Sequence, residues 1–187
     1  SVVRSCNFHI WALRHIRRSL TRDVANTIAC SIVGTRLDYC NSLLYGAAEK
    51  RLDKLQRVQN KLARVVHDVG IRERHTVDLL RDLHWLPVRS RISFKVATLC
   101  FKAVRLQEPG YLHDILQHRA PSRTLRSADG QLLAIPRTKI KTGERRISHS
   151  GPTVWNSLPL ALRDVGSIGT FKSQLKAHLF RRDFQTV

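Results

Sequence analysis

Methionine is absent from this chain altogether, position 1 included, and we therefore expect a piece of a longer product. Acid is scarce as well. Fourteen Asp and Glu stand against 33 Lys and Arg, for a net charge of +19. The ten Asp and four Glu are scattered, with no Asp-Asp pair, and two-metal phosphoryl or nucleotidyl transfer needs closely set carboxylates. A glycine-rich phosphate loop is missing, and so is a G-x-S-x-G nucleophile elbow. The four cysteines, Cys6, Cys30, Cys40 and Cys100, include no CxxC. Their wide spacing argues against a zinc knuckle or a dense disulfide framework and for reduced, mostly buried thiols of an intracellular protein. Cys6, His9 and His15 lack the fourth partner of a structural metal site. No apolar stretch approaches the roughly 20 residues of a membrane span. The opening residues are short and carry Arg4, unlike a secretory signal. We expect no catalytic residue, no metal, no cofactor and no membrane partner.

What the chain does have is enough apolar content for a core, 42% hydrophobic residues with six Phe, three Trp and three Tyr. It also has an excess of positive charge that seeks a polyanion, RNA or DNA first among them. Residues 1–86 hold 15 basic and 8 acidic residues, and residues 87–187 hold 18 and 6.

The periodicity is helical. A segment over 10–18 sets Ile10, Leu13 and Ile16 on one side. Thr21 suits an N-cap, with Asp23 in the first turn, and the helix it starts is expected to stop at Gly34. A short helix over 37–45 ends at Gly46. The clearest helix, 52–69, repeats Leu55, Val58, Leu62, Val65 and Val69, with Lys54, Arg57, Lys61 and Arg64 one residue out of phase. That second row reads either as a solvated face or as a ladder of phosphate contacts. Thr76 suits the cap of a short helix, and Pro87 opens a helix over 88–106 that is apolar nearly all round. His67 and His75 read as polar surface residues beside a loop.

The texture changes after residue 118, which suggests a helical domain over 1–118 and a basic arm with a C-terminal turn and helix over 119–187. Residues 119–150 hold eight basic and two acidic residues with two Pro and two Gly. Residues 132–135 and 146–148 are candidate strands of a hairpin. Arg119, Arg123, Arg126, Arg137, Lys139, Lys141, Arg145 and Arg146 are candidate phosphate contacts there, and a disordered basic linker is the alternative. Residues 155–158 read as a tight turn pinned by an indole, and Thr170 as the cap of a last helix over 171–180. The expected fold is mainly α, a helical bundle with a short β-hairpin or extended basic arm near 130–150.

Several blocks occur in a fixed order: RLDYCNSLLYG (36–46), LDKLQRVQNKLARVV (52–66), LHWLPVRSRISFKV (83–96), RTLRSADGQLL (123–133), and SGPTVWNSLP (150–159) followed by FKSQLKAHLF (171–180). Singly they read as packing and turn elements. As a series they closely resemble the C-terminal region of reverse transcriptases of LINE-type (non-LTR) retrotransposons, in the jockey and chicken-repeat groups. The resemblance runs from about residue 6 to 180. It implies a thumb and post-polymerase segment of an RNA-directed DNA polymerase, with an upstream polymerase domain as partner and a nuclear location as part of the parent protein. It also implies that the 52–69 helix grips primer–template backbone. The polymerase's aspartate-pair motif is absent, so the resemblance assigns no catalytic residue. Two alternatives stand beside nucleic-acid binding: a structural or protein-interaction module completing the polymerase fold, and a degenerate transposon remnant with no selected function.

Overall fold

The computed structural model describes residues 1–118, 132–140 and 142–184. They are mainly helical, with no strand among them. The chain packs as two compact units. The first comprises Ser1–Asn41, Ala47–Arg91 and the chain from Phe180; the second comprises Ser42–Gly46 and Ile92–Leu179. Residue 118 falls inside the second unit.

In the first unit α1 spans Val2–Ile16 and turns its Cys6, Ile10 and Leu13 inward. Ile16 is half exposed, against expectation, and Arg17 goes in instead. Burial of a cation requires acceptors, and Arg17 has four hydrogen bonds to carbonyls. Its Nε–H is shared between Val65 and Val66 (3.1 and 3.0 Å), Nη2 donates to Val66 (2.8 Å) and Nη1 to Leu20 (2.7 Å). Thr21 caps α2 (Arg22–Ala29) by accepting from the Val24 N–H at 3.3 Å. The helix does not stop at Gly34. A π-helical turn, Cys30–Gly34, carries it into α3 (Thr35–Asp38), and Gly34 keeps ordinary helical angles. The break comes later, at Cys40 with φ 52°. The expected 37–45 helix is thus split between α3 and a 3₁₀ turn, Asn41–Leu44.

Helix α4 (Glu49–His67) ends at Asp68, which takes the left-handed conformation. It buries Leu52, Val58, Gln59, Leu62, Ala63 and Val66. Leu55, Val65 and Val69 lie at the margin of that face rather than at its centre. α5 spans Thr76–Asp82. Two α4 glutamines fix the chain around Pro87: Gln59 Nε2 donates to the Leu86 carbonyl (2.8 Å), and Gln56 Oε1 accepts from the Val88 N–H (2.9 Å). At the start of α6 (Val88–Phe101) Arg91 grips Asp38 with two hydrogen bonds, 2.8 and 2.5 Å. So the 36–46, 52–66 and 83–96 blocks are tied together by their polar residues, around a core that includes Leu37, Leu62, Leu79 and Trp85.

In the second unit α6 continues through a π-helical turn, Lys102–Leu106, to α7 (Gly110–Ile115). The expected hairpin does not form. Leu133 makes a single antiparallel bridge with His118. Its own N–H and C=O are taken by the Asn156 side-chain amide, both at 2.9 Å, and the Ala134 N–H donates to the Gln117 carbonyl at 2.9 Å. Residues 146–148 instead start α8 (Ile147–Asn156), where the Arg146 carbonyl accepts from His149 and Ser150. The predicted tight turn at 155–158 is the end of this helix, which contains Pro152, followed by α9 (Leu160–Arg163). The last helix, α10, is longer than expected, Ile168–Phe184. Ser167 takes the capping role assigned to Thr170, its Oγ accepting from the Thr170 N–H at 3.1 Å. Trp155, Phe101 and Phe171 form the aromatic centre of the unit, with the Phe101 and Phe171 rings stacked at 4.4 Å.

Candidate nucleic-acid interface

Helix α4 carries the strongest candidate surface. At about 100° per residue, the buried set centred on Gln59 and Val66 lies nearly opposite Lys54, Arg57 and Lys61. The sequence pattern placed these three beside the apolar row; the helix is in fact rolled so that they point away from the core. All three are exposed. Lys50, also exposed, falls on the same line at the spacing 50, 54, 57, 61 and extends it by one turn. The spacing contains that fourth member because α4 begins at Glu49 rather than at residue 52.

The two acids in the first turns of α4, Glu49 and Asp53, both pair with Arg89. This contact holds the Arg89 guanidinium above its ordinary range. Arg64, the fourth expected member, does something else. Its Nη1 donates to the carbonyls of Gly70 (2.8 Å) and Arg74 (3.2 Å), and its Nη2 to Thr76 Oγ1 (3.0 Å). It braces the loop between α4 and α5. His67, expected at the surface, is half buried, with its Nε2 3.3 Å from the Leu79 carbonyl. Burial pushes its pKa down, partly opposed by that hydrogen bond.

The second unit holds the other candidates. Arg137, Lys139 and Arg146 are exposed. Arg145 is half buried and donates to the Leu43 carbonyl at 3.3 Å. Its Cγ lies 3.1 Å from where a Cβ on Gly46 would sit, and Gly46 has φ +64°. Arg145 thus packs against the end of the 36–46 block. Arg119, Arg123, Arg126 and Lys141 lie outside the described residues.

Among the described residues no group of His, Cys, Asp and Glu could hold a metal ion. Cys6 is in the core, whereas His15 is exposed and lies against Trp11. The cysteines divide evenly: Cys6 and Cys100 are buried, Cys30 and Cys40 exposed. No described helix is long and apolar enough to cross a membrane. The described residues are mainly helical and carry an exposed cationic face on α4. No family model, curated protein or solved structure matches the chain.

Proposed function

We propose that the chain is a non-catalytic nucleic-acid-binding segment. Its partner is duplex RNA–DNA or primer–template, held through backbone phosphates by α4. The observation that carries this is the exposed row Lys50, Lys54, Arg57 and Lys61, directed away from the core and without an ion pair among the described residues, while the nearby acids Glu49 and Asp53 bond to Arg89. Phosphate contacts of this kind position a duplex without reading its sequence. Arg137, Lys139 and Arg146 are further phosphate contacts in this reading, as are the more distal basic residues 119–126 and Lys141. The ordered blocks add the parentage: the thumb and post-polymerase region of a non-LTR retrotransposon reverse transcriptase, working in the nucleus beside its upstream polymerase domain.

Binding of an RNA–DNA duplex measured against salt tests the proposal. Each neutralised phosphate steepens the salt dependence by about one logarithmic unit of affinity per unit of log salt. Replacing Lys54, Arg57 and Lys61 together by Ala is expected to reduce that slope by about three and to weaken binding evenly across sequences. Undetectable or salt-insensitive binding by the intact chain overturns the proposal.

A second reading, a module that completes the polymerase fold, draws on the exposed apolar side chains Ile71 in the first unit and Tyr111 and Leu160 in the second. It predicts that co-expression with the upstream domain protects these residues from solvent.

A further inference from the structure

The outer face of α1 is unusual for a surface helix. Phe8 is 63% exposed and Trp11 59% exposed. With Arg4 and His15 they form one line at the spacing 4, 8, 11, 15, which is a single helical stripe. The rings are arranged rather than scattered. His15 Nδ1 is 3.0 Å from the Trp11 carbonyl, and the His15 ring lies 4.1 Å from the indole, centroid to centroid. The Phe8 ring lies 6.5 Å from the indole. Arg4 stands at one end of the line and Arg18 just past the other, with Arg14 beside it; all three are exposed. Residues 1–22 hold no Asp or Glu. The opposite face of α1, Cys6, Ile10 and Leu13, is buried in the first unit, so the stripe is not the core face displaced.

We infer that this stripe binds a single-stranded polynucleotide, whose bases stack on Phe8, Trp11 and His15 while its phosphates meet Arg4, Arg14 and Arg18. Charge selects this occupant. A row of aromatic faces on a helix whose own exposed charges are Arg4 and Arg14, with Arg18 just past its end, matches a chain of flat bases on a polyanionic backbone. An anionic membrane would want a broad aliphatic face around the aromatics, and that face is the one α1 buries. From Phe8 to His15 the helix rises about 10 Å, room for two or three unstacked bases. Stacking on rings reads no base identity, so the site is sequence-tolerant. It uses residues separate from the α4 row, which takes duplex backbone.

Trp11 is its own reporter, because Trp85 and Trp155 are buried (7% and 0% exposed). Titrating the full chain with oligo(dT) or oligo(U) is expected to quench tryptophan emission with similar affinity for the two. An abasic oligodeoxyribose phosphate of equal length should leave emission unchanged. Trp11→Ala should weaken oligo(dT) binding roughly tenfold or more; Trp11→Phe should restore most of it, and duplex affinity should stay unchanged in both. Phe8→Ala should weaken single-strand binding while leaving the Trp11 reporter in place. The inference is overturned if oligo(dT) binds without quenching, if Trp11→Ala binds as tightly as the intact chain, if the abasic strand quenches equally, or if only anionic lipid vesicles change the emission. Failure of duplex binding with single-strand quenching intact would overturn the α4 proposal and leave this one standing.

Discussion

Arg17 occupies a position that the apolar pattern of α1 would give to a hydrophobic side chain. It is held there by the carbonyls of Val65, Val66 and Leu20. Near the end of α4 the Val65 carbonyl also accepts from the Asp68 N–H (3.1 Å), and the guanidinium adds donors for Val65 and Val66, which complements that helix end and locks it to α1. Arg17→Ala removes these donors, and the Val66 carbonyl loses both of its hydrogen bonds from the guanidinium. The loss is expected to be about 2–3 kcal/mol, read as a lower urea midpoint, with Arg17→Lys recovering only part because it lacks the fork geometry. His67 gives a pH signature. Its folded pKa lies below the ordinary 6.5, so the unfolded chain binds the proton more readily. The His67 contribution is then complete above about pH 6.5 and is lost as pH falls through that value toward the folded pKa. A His67→Gln chain should show a shallower fall in melting temperature below pH 6.5 than the parent. The thiols separate by burial. The Cys100 thiol is pushed up to about 12 and Cys6 is raised as well, in both cases by burial, whereas Cys30 and Cys40 are exposed. A colorimetric thiol reagent should register two fast equivalents under native conditions and the other two only after denaturation.

Close approach of helices sets the tolerance of the elements. A Cβ on Gly151 of α8 would lie 3.0 Å from the Cys100 sulfur and 3.2 Å from Leu116 Cδ2, and both neighbours are buried. Ala favours a helix over Gly by about 1 kcal/mol, but overpacking a filled site costs about 1–3 kcal/mol. Gly151→Ala is expected to destabilise, and Cys100→Ala in the same chain should relieve part of the loss. A double-mutant cycle by chemical denaturation measures that coupling. The helical character and the Thr21 cap were legible in the sequence, and so were three of the four expected members of the α4 row, whereas α8 reads as a strand and a turn. Other features were hidden for physical reasons. The π-helical turn at Cys30–Gly34 carries the chain past a glycine that looks like a stop, since nothing local marks a helix that continues. Gln59 reads as polar surface until its partner, the Leu86 carbonyl 27 residues on, is known. Arg64 belongs to the cationic row by spacing, yet its loop carbonyls claim it. The 132–135 strand lost its pairing to Asn156, a long-range hydrogen bond that no window of sequence contains. Trp11 and Phe8 sit at helical spacing without facing the core, and only their exposure distinguishes them from packing residues.

For the whole molecule the governing quantity is the +19 net charge. Ion pairs such as Arg74–Asp82, Arg81–Asp78 and Arg89 with Glu49 and Asp53 join largely exposed side chains. Such pairs stabilise by only about 0–1 kcal/mol each. Self-repulsion among the remaining cations disfavours the compact state, and it acts over distances that salt screens, about 10 Å at 0.1 M. Repulsion and attraction therefore respond to salt with opposite signs, and the large excess of cations decides between them. The melting temperature should rise between 10 and 300 mM sodium chloride, where a protein of balanced charge would change little. A short polyanionic duplex added at 10 mM salt should raise it further by mass action, and substitution of Lys54, Arg57 and Lys61 by Ala should raise the low-salt melting temperature while reducing the gain from the duplex. Scanning calorimetry across that salt range reads all three effects. A melting temperature that falls with salt would show that the surface pairs dominate, and a duplex that leaves it unchanged at 10 mM salt would remove the cationic face of α4 from consideration as a phosphate grip.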